Sequence, residues 1–366
     1  MRVLFLTRYP VEGASSRYRV FQYLPHLERL GVRCEVQSFM DADMYALSFR
    51  PGRQAAKAAA TARAIARRMA VLRRHREFDA IYMQRELFPL GPPVVERRLK
   101  AAGARLLFDY DDALFINKAS RYNPLATWLR SPGKLEEVFR LCDRVVAGND
   151  WLRDQAIARG ARAVTVEVAE DTDRIAMRPP HTNEGGVLIG WLGSSSTSKY
   201  LRLIEPVLRR IHARHPETRF EVVGAGDFAM EGLPLVNTPW SLEGELEALR
   251  RFDIGLMPLP MEEWSRGKSG GKARTYMAAG VPGVVAAIGY NLELIRDGET
   301  GFLCRDEEDW ERHLEALVTD PALRQRVAEA AREDVERRFS PAGQAAELHA
   351  VLRDVVEGRA RAEGTS

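Results

Sequence analysis

Cysteine is scarce in this 366-residue chain, limited to Cys34, Cys142 and Cys304. Three thiols, far apart and odd in number, exclude a disulfide framework and a clustered zinc site as organising devices. They suit a reducing cytoplasm, where such residues act as buried fillers. Long apolar runs are also absent: nothing approaches the roughly 18 residues of a membrane span. Met1-Arg2 leads directly into an apolar strand, without the h-region and cleavage site of a signal peptide, so a cytoplasmic protein is expected. Histidine, the usual acid–base residue, occurs seven times. Five of the seven fall on expected helices, His75 ends a basic run and His181 lies in a linker, so none is assigned to catalysis. Also missing are a G-x-G-x-x-G fingerprint, a G-x-S-x-G elbow and paired metal-ligand spacing.

What is present is an ordinary globular balance, 45% apolar and 29% charged, with enough length for two full cores. The net charge of +3 hides an asymmetry: residues 1–180 carry 31 basic against 21 acidic residues, the remainder 23 against 30. The densest basic run, 50–76, begins at Arg50, ends at Arg76 and contains no acid. Its alanine-rich middle is a strong helix former. A basic helix of this kind suits an anionic membrane surface as well as plain solvent, and peripheral contact at the inner membrane face is one expectation.

In order, the chain opens with a strand at Val3-Leu4-Phe5-Leu6, a loop over 7–16, a helix over 17–30 and a strand over 32–39. Tyr18, Phe21, Leu24, Leu27 and Leu30 recur at helical spacing. This is a βαβ unit, the element of parallel sheets whose strand ends carry ligand loops. Further strands are expected at 80–83, 105–108, 144–147 and 164–168. The one at 105–108 runs into Asp109-Tyr110-Asp111-Asp112, where Asp111 or Asp112 either orients a hydroxyl or caps the next helix. Pro179, Pro180, Asn183, Gly185 and Gly186 mark a domain boundary, giving domains 1–180 and 186–366.

The second domain restarts the pattern at Val187-Leu188-Ile189-Gly190-Trp191-Leu192. Gly193, Ser194 and Ser195 follow, then Lys199 at the head of a helix, a suitable nest for a diphosphate. Gly224 and Gly226 form a tight turn after the strand at 219–223. The stretch 264–301 carries most of the chemistry. Lys268, Lys272 and Arg274 crowd a helix start, where free N–H groups already favour an anion. Gly280 and Pro282 stop that helix, and Gly283-Val284-Val285-Ala286-Ala287-Ile288 reads as a strand covered on both faces. Gly289 then turns the chain toward Asn291 and Glu293.

From Tyr276 onward this stretch, YMAAGVPGVVAAIGYNLELIRDGETGFL, resembles the donor-site signature of the retaining glycosyltransferases of family 4. Asp171-Thr172-Asp173-Arg174 resembles the end of that family's PNGVDTDRF linker, with Val168-Ala169-Glu170 where Pro-Asn-Gly is usual. The resemblance implies an α/β GT-B fold: two Rossmann-like parallel-sheet domains facing a cleft, with a terminal helix crossing back to the first. It implies transfer of a sugar from a nucleotide-sugar to a hydroxyl of a glycan, a lipid-linked glycan or a small molecule. A metal or other cofactor is not implied, nor is nucleic acid as a partner.

The pattern departs at both signature glutamates, whose places fall at Gly267 and Thr275; the chain resembles a branch with lysines four apart, Lys268 and Lys272. In the main family the second glutamate holds the ribose and the first contacts the sugar. The resemblance assigns Lys199, Lys268 and Lys272 to the departing diphosphate and Asp111 to catalysis on the acceptor side. Gly13, Gly193, Ser194, Ser195, Gly224, Gly226, Thr275, Tyr276 and Asn291 fall to donor binding. Arg17, Arg19 and Asp112 fall to the acceptor side. Two other readings share the fold: a non-catalytic GT-B subunit, favoured by loss of the glutamates, and a sugar-nucleotide 2-epimerase, for which acidic and histidine groups are few.

Overall fold

The computed structural model describes residues 1–50, 52–89, 91–116, 133–182 and 184–358. The tail 359–366, expected to fray, lies outside them. The chain divides into two compact units, Met1–Ala169 with Pro341–Ser366, and Glu170–Ser340. The division falls at Ala169 and Glu170, before the proline- and glycine-bearing segment at 179–186, because Glu170 already pairs its N–H with Phe339 O in the second unit.

The first unit is a six-stranded, all-parallel sheet. Its strands are β1 (Arg2–Thr7), β2 (Arg33–Ser38), β3 (Ala80–Gln84), β4 (Leu106–Tyr110), β5 (Arg144–Ala147) and β6 (Ala163–Thr165). Their spatial order is β2-β1-β3-β4-β5-β6. β3 and β4 are buried at every position, as apolar runs without alternation demand of strands covered on both faces. The Pro341–Glu357 helix belongs to this unit, and Ala345, Leu348, Leu352 and Val355 enter the core beside Tyr23 and Leu27. The expected single helix over 17–30 is instead three pieces, Ala14–Arg19, a 3₁₀ turn Phe21–Tyr23 and Leu24–Arg29. Val20 breaks the first piece (φ −134°), and Pro25, which has no N–H to give, sits at the start of the third.

The second unit repeats the plan with β7 (Leu188–Leu192), β8 (Arg219–Val223), β9 (Leu235–Thr238), β10 (Ile254–Met257), β11 (Gly283–Ala286) and β12 (Phe302–Cys304). The order is β12-β11-β10-β7-β8-β9, again all parallel. The chain leaves β7 toward β8 and β9, then returns on its other side to β10. A parallel sheet that reverses direction in this way opens a crevice at the carboxyl ends of the two strands flanking the reversal. Here that crevice lies between β7 and β10; in the first unit it lies between β1 and β3. Among the described residues no helix is long and apolar enough to cross a membrane.

Candidate active site

In the second unit three loops meet at the carboxyl end of β7. Gly193 ends the strand, and a side chain there would run into the Trp191 ring and come within 2.9 Å of Lys272 Cε. Gly224 (φ +78°) follows β8 so closely that a Cβ would run into Gly193 O and meet Trp240 Cβ at 3.1 Å. Both positions need glycine for different reasons, one for space and the other for space and conformation. Gly226 (φ +71°) brings its turn within van der Waals reach of Ser195. Ser194 and Ser195 are exposed; Ser194 O accepts from Thr197 N–H (2.9 Å) and Ser198 N–H (3.1 Å), closing the loop into a turn.

The Gly271–Ala279 helix approaches this point with its amino end. Gly270 caps it in the left-handed conformation (φ 65°), and no side chain fills the cap. Lys272 lies on its first turn with Nζ 5.2 Å from the Trp191 ring centroid. Burial and the charge of Lys268 together pull the Lys272 ammonium from its ordinary 10.5 down to about 8. Among the described residues Lys272 makes no ion pair with a carboxylate. Lys268 rests over Trp264 (3.9 Å), Trp264 packs on Tyr200 (6.0 Å), and Lys199 lies over Tyr200 (5.2 Å). An aromatic pair therefore links Lys199 to Lys268, although Lys199 itself is exposed. The desolvated Lys272 ammonium with Lys268 close by, open backbone N–H groups and a helix dipole form an arrangement that an anion relieves.

Tyr276 requires a correction. It is fully buried, its hydroxyl accepting from Leu192 N–H (3.1 Å) and donating to Leu256 O (3.0 Å). Both partners lie on the flanking strands, so this side chain pins β7 to β10 from within instead of meeting a donor. Asn291 donates from Nδ2 to Ala286 O (2.9 Å), fastening the turn after β11, and its buried Oδ1 has no partner among the described residues. Thr275 Oγ stands 2.9 Å from Glu170 Oε2 and 3.0 Å from Gly271 O. Glu170 is a residue the signature did not point to. Its only sequence signal was the altered linker, where a charged residue directly precedes Asp171.

In the first unit the crevice between β1 and β3 gathers Ser15, Gln84, Arg85 and Asp111. Asp111 accepts from Ser15 Oγ (2.8 Å), Gln84 Nε2 donates to Ser15 Oγ (2.9 Å), and Arg85 lies 3.6 Å from Asp111. Arg85 adopts a left-handed backbone (φ 67°), a strained state for a branched-chain-free but bulky residue that is typical of functional positions. Periodicity gave no sign of Arg85. Asp112 accepts from Ala113 N–H (3.0 Å) at the start of a turn. Gly13 precedes the Ala14–Arg19 helix and abuts Tyr9, and Arg17 points back to Val11 O and Glu12 O. Arg19 is a second correction. It is wholly buried and paired with the equally buried Asp109, with Nη1 reaching Val166 O (2.5 Å). A guanidinium so enclosed ties β4 to the chain after β6 and is not available to an acceptor. Among the described residues no group of three or more His, Cys, Asp or Glu is arranged to hold a metal ion.

Comparison with known proteins agrees with this geometry. Residues 186–320 match the family described as Glycosyl transferases group 1, a span that holds the β7 loop, both lysines and Thr275. The match lies wholly within the second unit. A D-inositol 3-phosphate glycosyltransferase of Kribbella flavida is 26% identical over 55% of this chain and 54% of its own length, so the chain spans about half of that relative. The Anabaena protein Alr3699/HepE, solved in complex with UDP-glucose, superposes with a TM-score of 0.68 at 16% identity, covering 97% of this chain and 100% of that one. Sucrose-phosphate synthase of Thermosynechococcus elongatus gives 0.67 at 13% identity, covering 98% and 100%. The fold is GT-B.

Proposed function

We propose that this protein is a retaining glycosyltransferase of the family 4 type, moving a sugar from a nucleotide-sugar to a hydroxyl of a glycan, lipid-linked or small-molecule acceptor. The observation that carries this reading is the Lys268–Lys272 pair at the uncapped amino end of the Gly271–Ala279 helix, facing the Gly193 loop. As the sugar–phosphate bond breaks, negative charge grows on the leaving diphosphate. Cations and N–H dipoles already fixed there stabilise that charge without reorganising. The acceptor hydroxyl attacks from the face the diphosphate leaves, and the diphosphate takes its proton, so a protein nucleophile is not required. Asp111 and Asp112, in the first unit, orient the acceptor. The exposed arginines of the Gln54–Leu72 helix support peripheral contact with anionic lipid; Arg68 does not contribute, being buried against Thr7 O.

A thermal-shift panel of UDP-, GDP-, ADP-, CMP- and dTDP-sugars tests this function. At a ligand concentration 100-fold above Kd, stabilisation of about 2.7 kcal/mol is expected for the true donor. No shift with any of them would reject the donor site. The missing glutamates favour one rival, a non-catalytic subunit, which would show the shift without ever turning the donor over.

A further inference from the structure

In the first unit, an arginine and an aspartate held side by side point to a class of acceptor; this inference rests on the acceptor role given to Asp111 above. The polarity of the hydrogen bonds behind Asp111 is fixed from the backbone upward. Arg8 N–H can only donate, and it donates to Gln84 Oε1 (3.1 Å), so the other end of that amide, Nε2, faces Ser15. Ser16 Oγ accepts from Tyr9 N–H (3.0 Å) and donates to the same Gln84 Oε1 (2.8 Å). Ser15 Oγ accepts from Gln84 Nε2 (2.9 Å), so its single proton goes to Asp111, 2.8 Å from Oδ1 and 2.9 Å from Oδ2. Asp111 is thereby anchored as an acceptor, with its side chain still 17% exposed.

Arg85 is anchored as well: its backbone N–H bonds Asp109 O (2.9 Å), and its left-handed φ of 67° fixes the chain there. Its guanidinium makes no hydrogen bond among the described residues. Nε is buried without a partner, and Nη2 stops 3.6 Å from Asp111, beyond hydrogen-bond length. Arginine and aspartate at this range frequently close into a bidentate fork. Here both are held from behind and the pair stays open, an acceptor beside a set of N–H donors at the carboxyl ends of β3 and β4. That arrangement matches two adjacent hydroxyls of a sugar, one donating to Asp111 and the other accepting from Arg85. An acidic sugar fits worse, since Asp111, Asp112 and Glu86 all act on the Arg85 charge and would repel a further anion. The Tyr9 ring lies 6.0 Å from the guanidinium and begins an aromatic row through Tyr45 (5.6 Å) to the exposed Phe49 (5.0 Å), an apolar edge for the C–H faces of a sugar. We propose that the Arg85–Asp111 pair, edged by the row from Tyr9 to Phe49, binds the vicinal diol of a neutral sugar and selects neutral over acidic acceptors.

Saturation-transfer NMR on the full chain, without donor, tests this with the methyl glycosides of glucose, galactose and mannose against glucuronate, galacturonate and mannose 6-phosphate. At least one neutral glycoside should bind, and its acidic counterpart should bind at least about tenfold more weakly. Asp111→Asn and Arg85→Met should each weaken the neutral sugar by about tenfold or more, as expected of hydrogen bonds to charged groups. Arg85→Gly separates binding from stability: glycine accepts φ 67° without strain, so Tm should hold or rise while the sugar is lost. Acidic sugars that bind as well as neutral ones would overturn the proposal. So would an Arg85→Gly variant that keeps its sugar, or loses it only together with a fall in Tm. Binding of no sugar by a chain whose Tm rises with a nucleotide-sugar would overturn it and leave the donor site standing. Sugar binding without any nucleotide shift would support it while the donor site fails.

Discussion

Lys272 offers the sharpest quantitative test, because its environment dictates a pH at which anion binding must change. In the free protein burial and Lys268 lower its pKa from 10.5 to about 8. Only the protonated form attracts a diphosphate, so binding above that pH must first take up a proton. At pH 9 about one molecule in eleven carries the charge, and affinity should fall about tenfold for each unit above 8. Below pH 7.5 it should be flat. Titration calorimetry from pH 7 to 9.5, in buffers of differing ionisation enthalpy, reads both the affinity and the proton taken up. Lys272→Arg should flatten the profile, since a guanidinium stays charged throughout. Folding stability gives the opposite sign. The unfolded state binds more protons between pH 8 and 10.5, so the cost of burying this cation is complete below 8 and vanishes by 10.5. Lys272→Met should therefore raise Tm at pH 7 while weakening nucleotide binding at least about tenfold. Wild-type binding that ignores pH from 7 to 9.5, or a Lys272→Met variant that binds normally, would refute the reasoning.

Other outcomes follow from the same geometry. Tyr276→Phe removes the hydroxyl shared by Leu192 N–H and Leu256 O; denaturant melts should show a loss of about 1–3 kcal/mol. Gly224→Ala forces a Cβ into Gly193 O and should abolish nucleotide binding, read by thermal shift, while circular dichroism shows the fold retained. Arg19→Met leaves Asp109 buried without its guanidinium and should cost about 3–5 kcal/mol, whereas the double change with Asp109→Leu should recover most of it. Vesicles containing anionic lipid should retain the protein at low salt and release it at high salt if the basic helix docks there; equal retention on neutral vesicles would contradict that contact.

The sheets were legible because parallel strands write themselves as short apolar runs, as at Val3-Leu4-Phe5-Leu6 and Gly283-Val284-Val285-Ala286. β9 was not legible: Leu235–Thr238 is a half-exposed edge strand with no apolar run to announce it. The broken first helix escaped because Tyr18, Phe21, Leu24 and Leu27 keep helical spacing across the break at Val20. Within the site, Lys268 and Lys272 were readable from charge beside a helix start. Tyr276 and Arg19 were not, because a polar side chain turned inward looks the same in sequence as one turned outward. Only their partners, Leu192, Leu256 and Asp109, decide the matter, and each lies far away in the chain. Glu170 and Arg85 are functional candidates of the same kind, placed by long-range packing or by an unusual backbone angle.

The central claim is that the lysine pair drives departure of a nucleoside diphosphate from a sugar. The most direct measurement is release of free nucleoside diphosphate from the nucleotide-sugar that stabilises the protein, with and without acceptor, in wild type and Lys272→Ala. The account predicts slow release by the wild type alone, acceleration by the acceptor, and at least about a tenfold loss in the variant with its fold intact. Binding of the donor with no release under any condition, or equal release by Lys272→Ala, would contradict it.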